Sequence, residues 1–102
     1  MSMQELSVIE KFINRAVCPE DVFGKLDGTT PEQQALLQKE FHNLAKAVHP
    51  DLHADDKVAG PLAELLFKAL QEFRTVAQER IKDGIYGHRI PMPGREPIIV
   101  KG

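Results

Sequence analysis

Two long runs of apolar residues at helical spacing, separated by a polar stretch that begins at a proline, leave this chain few ways to fold. In the first run Leu37, Phe41, Leu44 and Val48 fall within a narrow arc at about 100° per residue. In the second, Leu62, Leu65, Leu66, Ala69, Leu70, Phe73, Val76 and Ala77 share one broad face. Pro50 has no N–H to donate and its ring disfavours a helical residue before it, so the first rod must stop there. The polar residues from Asp51 to Gly60 let the chain turn back, and two amphipathic rods that both need cover then pair antiparallel. The first rod has a start signal in Thr30 as N-cap, Pro31 at the first helical position and Gln33 three residues after the cap. The pattern predicts helices over 31–48 and 61–82, the second opened by Gly60-Pro61 and ended by Gly84 and Gly87. Phe41, Leu44, Leu66, Leu70 and Phe73 are expected to close the core between them.

Upstream, Ser2-Met3-Gln4-Glu5 reads as a capping box. Leu6, Ile9, Ile13, Ala16 and Val17 then form an apolar stripe, while Glu5, Glu10, Lys11, Asn14 and Arg15 are polar. Pro19 opens a short second helix of about two turns, running through Asp21-Val22-Phe23-Gly24-Lys25-Leu26 to the turn at Asp27-Gly28. After Gly84 the prolines at 91, 93 and 97 predict an extended tail. The fold class is therefore all-α: an N-terminal helix over 1–18, a helical hairpin with a short helix at its side over 19–83, and a tail over 84–102. Ile98-Ile99-Val100 is strand-like yet has no strand to pair with. The expectation is that the polypeptide continues beyond Gly102, which a stop codon at that point in the parent gene would overturn; packing on the hairpin, joining a further domain and contacting a client all stay open for the tail.

With 102 residues, 42% of them apolar, the chain supports one core and not two. A formal charge of −2 argues against a sequence-independent grip on nucleic acid, and a recognition helix would have to be richer in Arg, Asn and Gln than the first rod, which has no Arg. The single cysteine, Cys18, cannot make an intramolecular disulfide, so the cytosol is the default compartment. No apolar run approaches the roughly 20 residues of a membrane span, and no basic start precedes an apolar stretch.

The function-bearing residues cluster at the end of the first rod. Lys39, His42, Lys46 and His49 recur at spacings of three, four and three on its solvent side. Pro50 turns the chain sharply and presents His49 and Asp51 at an exposed tip. The His49 ring can donate or accept a hydrogen bond, and the Asp51 carboxylate can take a charge-assisted bond from an arginine of a partner. Leu44-Ala45-Lys46-Ala47-Val48-His49-Pro50-Asp51 resembles the end of the second helix of a J-domain and its His-Pro-Asp loop. Asp21-Val22-Phe23-Gly24-Lys25-Leu26 is similar to that family's short first helix, Thr30-Pro31-Glu32 to the start of its second, and Phe67-Lys68-Ala69-Leu70-Gln71-Glu72 to the middle of its third. The resemblance covers roughly Glu20 to Arg80.

The resemblance implies a co-chaperone that is not itself an enzyme. Its loop would contact an ATP-bound DnaK-type chaperone where nucleotide domain, substrate domain and linker meet, and binding would favour ATP hydrolysis and trapping of a client protein. His49, Pro50 and Asp51 would form the contact, with Lys39, His42 and Lys46 steering towards an acidic patch. Departures from the family are plain. Leu52 stands where a lysine is common, Asn43 and Ala47 where more Lys or Arg occur, and Arg74 lies near an aromatic position. The fourth-helix motif, the Gly/Phe-rich linker and the zinc-binding cysteine repeats are all missing. The thin basic face keeps open an alternative, a degenerate J-like interaction module without ATPase-stimulating activity.

Other chemistries fit the sequence less well. His49, Asp51, His53, Asp55 and Asp56 crowd possible metal ligands into one stretch, but without the glycine-centred pattern of a calcium loop or a transition-metal spacing, so no metal is expected. Cys18 has no base beside it and reads as a small buried apolar residue. No glycine-rich phosphate cradle occurs, and no cofactor is expected.

Overall fold

The computed structural model describes residues 3–49, 57 and 59–92. Among them are four helices and no strand: α1 (Met3–Arg15), α2 (Pro19–Phe23), α3 (Thr30–Val48) and α4 (Ala59–Lys82). The expected all-α class and the order of helices are those observed, and no helix among the described residues is long and apolar enough to cross a membrane.

The centre of the molecule is α4, which α1, α2 and α3 all touch. Its fully buried residues, Leu62, Ala63, Leu66, Leu70, Phe73 and Ala77, recur at helical spacing and face the other three elements. Leu65, placed on this face from the sequence, is instead 44% exposed because the buried arc is centred on Leu66 and Phe73 and leaves Leu65 at its margin. Pro61 sits inside the first turn of α4, where its missing N–H costs no intrahelical bond.

α3 runs antiparallel to α4. Near its start, Gln34 Nε2 donates to the Gln78 carbonyl at 3.2 Å, and at its end His49 lies against Phe67. Leu37, Phe41, Ala45 and Val48 are buried, while Leu44 packs at the margin of the core. The cap of α3 falls one residue earlier than expected. The N-cap is Thr29, and the Glu32 carboxylate accepts from the Thr29 N–H at 3.2 Å and from its hydroxyl at 2.9 Å. Gln33, read as the box partner, instead donates Nε2 to the Leu26 carbonyl at 2.9 Å and ties the incoming loop to the helix. Gly28 makes this approach possible: its φ is +113°, and a Cβ there would lie 2.9 Å from Glu32 Cβ.

Two shorter elements close the sides. α1 buries Leu6 and Ile13, with Ala16 buried just past its last turn. Val17, expected in the same stripe, is exposed because the helix has ended at Arg15. The Ser2 capping box lies outside the described residues. α2 has Pro19 in its first turn and buries Val22 and Phe23, but it stops at one turn and a half. Gly24 at φ +74° takes the chain out of the helix before Lys25 and Leu26.

Two adjacent threonines make the cap position testable by thermal denaturation. Thr29→Ala is expected to cost about 1 kcal/mol by removing a capping side chain, whereas Thr30→Ala, an exposed first-turn position, should change stability by less than about 0.5 kcal/mol.

Candidate docking face and tail clasp

Four of the six sequence-selected residues are described, and all four are exposed. Lys39, His42 and Lys46 are exposed along α3, and His49 is exposed at its C-cap. Among the described residues no ion pair involves Lys39 or Lys46, so both charges face solvent. The His49 backbone has φ −57° and ψ 126°, the extended conformation required of a residue preceding proline. Pro50 and Asp51 lie outside the described residues, as do His53, Asp55 and Asp56 of the candidate ligand cluster. Among the described residues no group of three His, Cys, Asp or Glu side chains is placed to hold a metal ion.

Three contacts run from the middle of the helical pair to this tip. The His49 ring meets Phe67 of α4 edge-on, with centroids 5.5 Å apart and planes at 69°. Phe67 in turn meets Phe41 at 6.3 Å and 60°. The Arg74 guanidinium lies over Phe41, 4.2 Å from the ring centroid. Phe67 was legible in sequence only as part of the resemblance, because it falls outside the most buried arc of α4. Its role beside His49 needs the register of two helices.

At the other end of α3 lies a feature that the sequence reading missed. Glu20, in the first turn of α2, is 7% exposed and binds three partners far along the chain. Its Oε1 accepts from Arg80 Nη1 of α4 at 3.3 Å, and its Oε2 accepts from the N–H of Gly87 at 2.7 Å and of Arg89 at 3.1 Å. The chain beyond α4, read from its prolines as extended, folds back on α2 over residues 85–92. Gly84 at φ +74° ends α4, and the Ile85 N–H reaches back to the Arg80 carbonyl at 2.9 Å. The Tyr86 hydroxyl donates to the Gly24 carbonyl at 2.7 Å, Arg89 pairs with Asp21, and the Met92 N–H donates to the Val17 carbonyl at 2.7 Å. Arg89 has φ +55°, a left-handed conformation costing roughly 1–2 kcal/mol that these backbone and side-chain bonds offset. Residues 93–102, including Ile98-Ile99-Val100, lie outside the described residues.

Electrostatics follow from this packing. Burial alone would push the Glu20 carboxyl up, but the N–H groups around it and the Arg80 guanidinium hold it below the usual carboxylate range. Asp21 is held down by the Val17 N–H and by Arg89. Burial pushes the Cys18 thiol up, which leaves it protonated and poorly nucleophilic at neutral pH. A groove of about 600 Å³ lined by Lys25, Leu26, Gln33, Tyr86 and Arg89 opens beside the clasp. It sits at the opposite end of α3 from His49, roughly 24 Å away along the helix.

Compared with protein-family models, with curated proteins and with solved structures, the chain gives no match.

Because the folded-state value of Glu20 is depressed, its contribution to stability is complete above the unfolded carboxylate value of about 4.3 and is lost as pH falls through the folded value. Thermal midpoints measured from pH 6 to pH 2.5 should fall on acidification. Glu20→Gln should lower the midpoint at pH 6, by the equivalent of about 1–3 kcal/mol, and reduce the acid slope. A wild-type slope retained in Glu20→Gln would show that the clasp does not govern it. Tyr86, the one tyrosine of a chain without tryptophan, provides a local fluorescence probe of the same event.

Proposed function

We propose that this chain is a J-domain co-chaperone that docks on a DnaK-type chaperone through His49-Pro50-Asp51 and stimulates its ATP hydrolysis. The observation carrying this reading is the position of the tripeptide. It begins at the C-cap of α3, whose exposed face bears Lys39, His42 and Lys46, and α4 returns antiparallel behind it.

The chain performs no bond-making step in this reading. It acts by binding one state of its partner more tightly than another, which shifts that partner's population towards hydrolysis. Lys39 and Lys46, with His42 beside them, steer the approach to an acidic surface, a long-range effect that salt screens. At contact, His49 supplies a ring nitrogen for a hydrogen bond and Asp51 a carboxylate for an arginine of the partner. Pro50 fixes the backbone between them and so lowers the entropy lost on docking. The cytosol, where such chaperones and their clients meet, is the proposed compartment.

One observation favours a second reading, an interaction module of the same fold without stimulating activity: the face is thinly basic, with Asn43 exposed between Lys39 and Lys46 and Ala47 half-buried after them. Single-turnover ATP hydrolysis by a DnaK-type chaperone from the same source separates the two. The co-chaperone reading requires stimulation by the wild type that returns to the unstimulated rate in His49→Gln, with helix content unchanged by circular dichroism. Folded wild type without effect at any concentration would leave the interaction module.

A further inference from the structure

We propose that Arg74, Phe41 and Phe67 form a stacked support that fixes the orientation of the His49 ring, which makes Phe67 and Arg74 positioning residues for the docking tip. This rests on the reading of His49 as a docking residue. The support begins at Arg74, whose guanidinium lies 4.2 Å above the Phe41 ring and whose buried Nε has no hydrogen-bond partner. The π face of Phe41 is therefore the compensation that the structure offers at this point for partly burying the cation. Arginine suits the position because its guanidinium is planar, weakly hydrated and permanently charged.

Phe41 is only 6% exposed, so its ring is held between the arginine above it and the core below. It braces Phe67 at 6.3 Å in a tilted arrangement, and Phe67 meets His49 at 5.5 Å, nearly perpendicular. Both separations fall in the range where aromatic pairs attract. Phe67 and Arg74 stand two helical turns apart on α4 and thus project from the same side towards α3. His49 keeps a helical φ of −57°, and its ψ of 126° redirects only the chain that follows, so its ring stays beside the last turn of α3. There the wall of α4 meets it through the edge-on contact with Phe67. An exposed imidazole without such a neighbour exchanges rotamers in picoseconds to nanoseconds, and a partner would have to select the competent one at each encounter.

The test uses the full chain as wild type, Phe67→Leu, Phe67→Tyr and Arg74→Met, with helix content checked by circular dichroism. The first readout needs no chaperone: the ring-proton NMR resonances of His49, assigned by their loss in His49→Gln. In the wild type, ring current from Phe67 should displace them from free-histidine positions. Phe67→Leu should return them towards those positions, Phe67→Tyr should preserve the displacement, and Arg74→Met should move them in the same direction as Phe67→Leu by a smaller amount. The second readout is the concentration giving half-maximal stimulation of a DnaK-type chaperone. It should rise about two- to tenfold in Phe67→Leu, and less in Arg74→Met, with the maximal rate unchanged. Unmoved His49 resonances in a folded Phe67→Leu overturn the proposal, and unmoved resonances in Arg74→Met remove Arg74 from the support and overturn it as stated. Failure of the wild type to stimulate any DnaK-type chaperone sinks the docking reading alone, since the NMR series decides the support independently.

Discussion

Burial of one face of α4 is the constraint on which everything else in the structure depends. Leu62, Leu66, Leu70 and Phe73 are each at most 2% exposed, and a side chain of that kind contributes about 1.5–3 kcal/mol when removed from water. The same face serves three neighbours at once, since α1, α2 and α3 all pack on it. Neither α1, with its single stripe, nor α2, with fewer than two turns, has the length to be stable in isolation. The direction of α3, and hence the place where its C-terminal tip emerges, is set by how Leu37, Phe41, Ala45 and Val48 fit against this wall. The exposed face of Lys39, His42 and Lys46 is the geometric complement of that buried stripe. A helix that puts one side into the core has no freedom left in where its other side points.

Local chemistry then trims the ends of the rods that the core aligns. Gly28 turns through a positive φ so that Thr29 can meet Glu32, and α2 and α4 each end at a glycine with φ +74°, Gly24 and Gly84. At the far end Pro50 follows a residue already in extended geometry. The contrast between the ends is physical. The start of α3 is secured by hydrogen bonds from its own loop, whereas its C-terminal tip is braced by contacts from another helix.

Much of this was legible in the sequence, and what was not shares a cause. Leu37, Phe41, Val48, Leu66, Leu70 and Phe73 could be assigned to the core because periodicity is a property of a few neighbouring residues. The same holds for the exposed stripe of Lys39, His42, Lys46 and His49. The cap of α3 was placed one residue late because Thr29 and Thr30 are chemically equivalent candidates, each with a suitable residue three positions on. Leu65 and Val17 were misplaced because an apolar stripe read from sequence has no edges; its neighbours define them. The Glu20 clasp was invisible for a stronger reason. Its partners lie 60 to 69 residues away, and nothing local distinguishes a glutamate in a first helical turn that stays in water from one that is buried against an arginine. The contact of His49 with Phe67 likewise required the register between α3 and α4.

The two missed features sit at opposite ends of one helical pair and do different work. Around Glu20 the contacts are buried, charged and long-range, and they tie the chain beyond α4 to α2. Around His49 they are aromatic, partly exposed and individually weak. Perturbations at sites more than about 10 Å apart without shared partners combine additively, so a change at one end should not propagate into the other. Stability can therefore be concentrated in the core and the clasp while the tip retains an exposed ring. The energy that holds the helices together is thus spent away from the residues left in water, and the aromatic contact at His49 leaves that residue exposed.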